Sequence, residues 1–217
     1  MRKYLEELTG TFLLVLIGTG AIVLHQEFGW IGHSGVSFAF GAIVCLMILA
    51  FGKSSGAHIN PAVTLAFWVL KKISARDTLW YIVMQLLGAT LASWLLLLLF
   101  PENELLGATI PRAGDETFAL WLEFAMTGLL MFVILFSGRF GGITIPAILI
   151  GLTVGLEAYF GGPISGASMN PARSFGPAIV SGHTEYLWWY CMMTVGGAMS
   201  QVIPRKIFTA GSSFLAS

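Results

Sequence analysis

Charge is scarce in this sequence of 217 residues, of which Lys, Arg, Asp and Glu together make up 10%. Its 11 basic and 11 acidic residues give a formal net charge of zero, and they form no run or patch of one sign. Nothing therefore points to a nucleic-acid partner or an acidic one. Hydrophobic residues make up 56% of the chain and the mean hydropathy is +0.83, values too high for an ordinary soluble domain. We predict an integral membrane protein with several spans.

Side chains that bind metals or carry out catalysis are also scarce. The two cysteines, Cys45 and Cys191, both fall in apolar segments, which favours buried free thiols over a disulfide or a metal pair. His58 has no second ligand at a usable spacing, which favours a hydrogen-bonded turn residue over a metal ligand. No pairing of a nucleophile with a base is recognisable either. We therefore expect no enzymatic activity, no metal and no cofactor.

Long apolar segments take up most of the chain, and six of them are long enough to cross a bilayer. The first follows Met1-Arg2-Lys3 in the manner of a signal peptide. However, Glu6 and Glu7 interrupt it and no small-residue cleavage site follows, so we interpret it as a transmembrane helix. The predicted spans are residues 4–24, 34–51, 78–100, 118–136, 143–160 and 186–203.

One nine-residue pattern occurs twice, as SGAHINPAV at 55–63 and as SGASMNPAR at 165–173, with each residue 110 positions after its counterpart. Both copies predict a tight turn containing glycine, then asparagine as a helix N-cap and proline at the first helical position. The apolar stretches that follow, 62–69 and 172–181, would extend only about 15 Å, half the thickness of a membrane. The pattern thus predicts two half-helices, which begin with Asn60, Pro61 and Ala62 and with Asn170, Pro171 and Ala172.

The basic residues between the spans are distributed unevenly. One side of the membrane would carry nine of them and the other only Arg112, with Arg173 set apart. Because cytoplasmic loops are enriched in Lys and Arg, we predict that both termini are cytoplasmic. The nine are Arg2, Lys3, Lys53, Lys71, Lys72, Arg76, Arg139, Arg205 and Lys206.

The predicted topology divides one domain, 1–217, into two halves of opposite orientation. Residues of about 1–100 and 118–217 each contain three spans, and an external loop at 101–117 joins them. This arrangement is an inverted repeat, in which the two half-helices meet near the midplane with Asn60 and Asn170 face to face. Irregular backbone at that depth is tolerated only beside protein or water, so the turns at 52–59 and 161–169 should line a water-filled path.

Two Asn-Pro-Ala motifs, each preceded by Ser-Gly-Ala and the second followed by arginine, closely resemble the aquaporins, or major intrinsic proteins. The resemblance covers essentially the whole chain. GPISGASMNPARS at 162–174 and GATIP at 107–111 look most like the nodulin-like branch. The resemblance implies an all-α membrane protein of six transmembrane helices plus two re-entrant half-helices. It further implies a passive channel for water and small uncharged solutes (glycerol, urea or metalloid hydroxides), and a homotetramer surrounded by lipid in the plasma, or cell inner, membrane.

The resemblance also implies roles for individual residues. Asn60 and Asn170 would donate hydrogen bonds to the permeating molecule, and the positive ends of the two half-helices would repel cations and protons. Glu7 and Glu123 would accept hydrogen bonds from backbone amides of the re-entrant turns, to which His58 also belongs. The external constriction would consist of Phe40, Ala158, Ala167 and Arg173.

The predicted constriction resembles two branches of the family at once. Phe40 resembles the water-selective branch, whereas Ala158 stands where that branch typically carries histidine. A methyl group in place of an imidazole implies a wider and less polar aperture, through which solutes larger than water should pass. Four further positions that separate water-type from glycerol-type members match the water type: Ser174, Ala178, Trp189 and Tyr190.

Two other functions stay open at this point. Inverted repeats and broken helices also characterise coupled secondary transporters, in which Glu7 and Glu123 would carry protons instead of supporting the turns. The other alternative is a structural membrane protein with a closed pore. Glu157 has no assigned role. It could support the outer mouth or lie at a wetted helix end, and we expect the latter.

Overall fold

The protein is described by a computed structural model, which covers the backbone of residues 1–214 and the side chains of residues 1–203. The side chains of Arg205 and Lys206, which were assigned to the cytoplasmic side, and residues 215–217 of the predicted second half lie outside the described residues. The described chain is all helical, in agreement with the predicted fold class. Its helices are α1 Arg2–Phe28, α2 Gly32–Phe51, α3 Pro61–Val69, α4 Ala75–Leu99, α5 Glu116–Ser137, α6 Thr144–Ser165, α7 Pro171–Ser181 and α8 Leu187–Phe214.

The long helices coincide with the predicted spans, and the short helices α3 and α7 with the predicted half-helices. Within the described residues, α1, α2, α4, α5 and α6 are long and apolar enough to cross a membrane. The sixth predicted span, 186–203, corresponds to the first part of α8. In sequence order, α1 to α4 are repeated by α5 to α8.

The second re-entrant turn is shorter than the sequence predicted. We expected the fifth span to end at residue 160, but α6 continues through Pro163 to Ser165 and ends at Gly166, which has a φ of 79°. Pro163 lacks the N–H that would bond the carbonyl of Tyr159. His33 Nε2 donates to that carbonyl instead, at 2.6 Å, so the proline does not end the helix. The irregular segment is therefore confined to residues 166–170.

Close helix packing joins the two halves. Within each half the first helix packs along the last, α1 on α4 and α5 on α8, while α2 packs along α6 between the halves. A Cβ atom added at Gly41 of α2 would lie 2.7 Å from the carbonyl oxygen of Gly151 on α6, so these backbones can approach only because both residues are glycine. The half-helices α3 and α7 also contact one another within this bundle.

Candidate functional site

The two half-helices begin in the same way. Asn60 and Asn170 have extended backbones, with φ of −157° and −153°, and each places a proline at the first helical position. The Asn60 side-chain oxygen accepts a hydrogen bond from the Ala62 N–H at 2.9 Å, and the Asn170 oxygen accepts one from the Ala172 N–H at 3.0 Å. Both asparagines are thus helix N-caps, which the repeated motif had predicted.

The same two asparagines also bind each other's turns. Asn60 Nδ2 donates to the carbonyl of Met169 at 2.8 Å, and Asn170 Nδ2 donates to the carbonyl of Ile59 at 2.8 Å. This crossed pair fixes the ends of α3 and α7 against one another. Since an amide group carries two hydrogens, each asparagine has one N–H beyond the one used in these bonds.

Both re-entrant turns hold non-glycine residues in the left-handed region, where such residues are uncommon. In the first turn Ala57 and Ile59 have φ of 46° and 42°, and in the second Ala167 and Met169 have φ of 44° and 53°. Alternation of such residues with ordinary ones makes successive N–H groups converge and forms a concavity that binds anions. In each turn of this protein a buried carboxyl group occupies that position.

Glu7 of α1 supports the first turn. Its carboxyl group is fully buried and accepts hydrogen bonds from the backbone N–H of His58 at 2.9 Å and of Ile59 at 2.7 Å. The Ser55 hydroxyl and the Gln85 amide also donate to it, each at 2.8 Å. Three of its four hydrogen bonds therefore come from the first turn itself.

Glu123 of α5 repeats the arrangement in the second half. It is fully buried and accepts hydrogen bonds from the N–H groups of Ser168 and Met169, both at 2.8 Å, and from the Ser165 hydroxyl at 2.6 Å. In addition, Tyr190 donates to the carbonyl of Ser165. Tyr81 donates in the same way to the carbonyl of Ser55 in the first half, at 2.8 Å.

His58 lies in the first turn beside Glu7. Its ring nitrogen Nδ1 is hydrogen-bonded to the Thr64 hydroxyl at 3.2 Å, and the ring stacks on Phe67 with 4.8 Å between the centroids. No group of three or more potential metal-binding side chains occurs among the described residues. His58 is thus held by neighbours on α3 and lines one wall of the cavity described next.

A cavity of about 350 Å³ is lined by residues of α1, α2, α3, α5 and α6 and of the α5–α6 connection. Apolar side chains form most of its walls. At its inner end it reaches Asn60 and Asn170, together with Phe40. The cavity therefore runs from one face of the bundle to the point where the half-helices meet.

Arg173, the residue after the second motif, lies near that inner end. It is 1% exposed, its guanidinium carbon is 5.1 Å from the centre of the Phe40 ring, and its Nη1 donates to the carbonyl of Gly107 at 2.7 Å. Its Nε and Nη2 atoms are buried and have no hydrogen-bond partner in the part of the chain that the structure describes. Two donor nitrogens of Arg173 thus have no partner among the described residues.

The other predicted constriction residues are all buried in the apolar core. Phe40, Ala158 and Ala167 are 5%, 5% and 3% exposed and belong to the same apolar cluster. Of the four residues predicted for the constriction, Phe40 lines the cavity, whereas Ala158, Ala167 and Arg173 are not among its lining residues. The cavity therefore reaches Phe40 but does not extend to the other three residues.

We had expected Glu157 to lie at a wetted helix end, and this prediction is wrong. It is 6% exposed, and neither carboxyl oxygen has a hydrogen-bond partner among the described residues. Its burial was hard to predict from the sequence, because Tyr159 and Phe160, which follow within three residues, are themselves exposed.

Comparison with known proteins gives a consistent result. The family model described as "Major intrinsic protein" matches residues 1–203. Aquaporin NIP1-1 of Oryza sativa subsp. japonica is 41% identical over 100% of this chain and 81% of its own length, and Nodulin-26 of Glycine max is 38% identical over 92% and 75%. The X-ray structure of the aquaglyceroporin from Plasmodium falciparum has a TM-score of 0.81 and 24% identity, covering 93% of this chain and 92% of that one, and shows the same fold.

Proposed function

The chain belongs to the major intrinsic protein family and is a membrane channel for water and small neutral solutes, and from this premise we propose that the cavity is the inner half of its conducting path. NIP-type aquaporins and Nodulin-26 are among its relatives, which confirms the resemblance to the nodulin-like branch. The path continues from the cavity past Phe40 and Arg173 to the other face of the bundle.

The observation that carries this proposal is the crossed asparagine pair at the inner end of the cavity. Each asparagine uses one N–H on the opposite turn and offers the other to an oxygen atom of the permeating molecule. The N-termini of α3 and α7 each contribute roughly half a positive charge at the same place. Cations and protons are repelled there, while water and neutral solutes pass.

The external constriction is the second element of the proposal. Phe40, Ala158 and Ala167 form its apolar wall, and the unused Nε and Nη2 of Arg173 donate to solute oxygens. An arginine in this position is costly unless it faces water or a partner, which supports its place on the path. Because position 158 carries only a methyl group, solutes of the size of glycerol, urea or metalloid hydroxides also pass.

Transport is passive in this proposal. A coupled transporter needs a titratable group that is free to change its partners, whereas the Glu7 and Glu123 carboxyl groups are occupied by turn donors. We assign both glutamates, together with His58, to the support of the re-entrant turns. The protein catalyses no reaction, since its family consists of channels.

The surroundings of the channel are proposed on the same basis. Large apolar side chains are exposed along the outer helix faces, among them Trp121 and Leu152, and these suit contact with lipid or with other copies of the chain. Family resemblance supports a homotetramer with one path per protomer. The nine basic residues on one side support cytoplasmic termini in the plasma, or cell inner, membrane.

Swelling and shrinkage kinetics of proteoliposomes test this function. Purified protein should raise the rates for water, glycerol, urea and boric acid above those of protein-free liposomes. The variant Arg173→Ala should change the ratios among these rates, because it removes the donors of the constriction. Rates equal to those of protein-free liposomes for every solute would contradict the proposal.

A further inference from the structure

Glu157 lies on the same face of α6 as three residues that line the cavity. Pro146, Ile150 and Val154 line the cavity from this helix. Glu157 and Ala158 follow Val154 by three and four residues, so they continue the same stripe beyond the inner end of the cavity. Neither residue lines the cavity itself, and Ala158 belongs to the same apolar cluster as Phe40.

The Glu157 carboxyl group differs from those of Glu7 and Glu123 in its hydrogen bonding. Glu7 accepts four hydrogen bonds and Glu123 three. Glu157 is 6% exposed and accepts none from the described residues. Because buried polar groups nearly always find a partner, a donor from outside the described chain is expected there.

The inverted repeat shows that the fold itself does not require a carboxyl group at this position. The counterpart of Glu157, 110 residues earlier, is Met47, which is buried at 8% exposure. Arg173 is another buried charge whose counterpart is uncharged, since Val63 occupies its place in the first half. Both departures from the repeat occur in the second half, which also contributes Ala158 and Ala167 to the proposed constriction. This favours a role in the path over a role in the scaffold.

We propose that Glu157 is the hydrogen-bond acceptor of the external path, binding the O–H and N–H groups of small neutral solutes beside Ala158. This inference rests on the proposed function. Arg173 supplies donors and Glu157 supplies acceptors, so a solute with several hydroxyl or amide groups can satisfy both kinds of group as it passes the external constriction. Water satisfies the same groups with a single small molecule and depends less on either one. Glu157 is therefore a specificity-determining residue for polyols and amides.

Two variants test the proposal in proteoliposomes, with glycerol and water fluxes measured on the same preparation. Glu157→Met installs the residue found at the equivalent position of the other half, with similar volume and no acceptor oxygen. The ratio of glycerol to water flux should fall about tenfold, the factor that corresponds to one lost hydrogen bond. Glu157→Gln keeps one acceptor oxygen and should give an intermediate ratio. Met47→Leu is the matched control and should leave the ratio unchanged.

A wild-type flux ratio in Glu157→Met, with wild-type thermal stability, would overturn the assignment. If Glu157→Met does not fold, Glu157→Gln decides the matter, because it is nearly identical in shape: an unchanged ratio there would also overturn it. Failure of the proposed function would look different, since the wild-type protein itself would then conduct neither glycerol nor water above the protein-free background.

Discussion

Removal of the Glu7 carboxyl group should destabilise the first re-entrant turn. Glu7→Ala leaves four donors without their acceptor: the N–H groups of His58 and Ile59, the Ser55 hydroxyl and the Gln85 amide. The two N–H groups cannot turn away, because the backbone is fixed with Ile59 at a φ of 42°. Each buried donor left unsatisfied costs about 1 to 3 kcal/mol, so the two backbone amides alone cost about 2 to 6 kcal/mol.

Thermal unfolding of the detergent-solubilised protein measures this effect. Glu7→Ala should unfold at a clearly lower temperature than wild type, and Glu123→Ala should do the same, since that carboxyl group accepts from two amides of the second turn. Thr11→Val is the matched control. Its buried hydroxyl bonds only the backbone carbonyl of Glu7, so little change is expected. Wild-type unfolding together with selective loss of gradient-driven uptake would refute the reasoning and favour the coupling role.

Three further changes test the path and the packing around it. Ala158→His should sharply reduce glycerol and urea flux while sparing a substantial water flux. Phe40→Ala should widen the aperture instead. If the relative fluxes of water, glycerol and urea are unchanged in both variants, the constriction lies elsewhere. Asn170→Ala removes an N-cap and the bond to the Ile59 carbonyl. It should therefore destabilise the protein by about 1 to 2 kcal/mol and lower its unfolding temperature. An unchanged unfolding temperature would contradict the role of Asn170 as a cap. Gly41→Ala places a Cβ atom 2.7 Å from the Gly151 carbonyl oxygen, so it should destabilise the contact between α2 and α6 by about 1 to 3 kcal/mol. Wild-type stability would show that the two helices can move apart at no cost.

The parts of this protein that could be predicted are those with a local cause. An asparagine followed by proline specifies the start of a helix wherever it occurs, so α3 and α7 begin at Pro61 and Pro171 as expected. The long spans follow from hydropathy and length alone. The repeat of the motif was enough to predict the symmetry that brings the two asparagines together.

Other features could not be predicted, because they depend on groups that no sequence pattern identifies. Gly107, Ile59 and Met169 enter the site through backbone carbonyls, which every residue type supplies. Tyr81 and Tyr190 bind the carbonyls of Ser55 and Ser165, which belong to the repeated motif. The motif alone did not indicate these tyrosines, because they lie on other helices. The extension of α6 through Pro163 could not be predicted, since its compensating donor, His33, is far away in the chain.

The central claim is that solutes move passively along the path between the two asparagines. Its most direct test is glycerol uptake by proteoliposomes with and without an imposed proton or sodium gradient. The account predicts that internal glycerol rises only to the external concentration, at a rate above that of protein-free liposomes, and that neither gradient changes the final level. Accumulation above the external concentration in response to either gradient would contradict it.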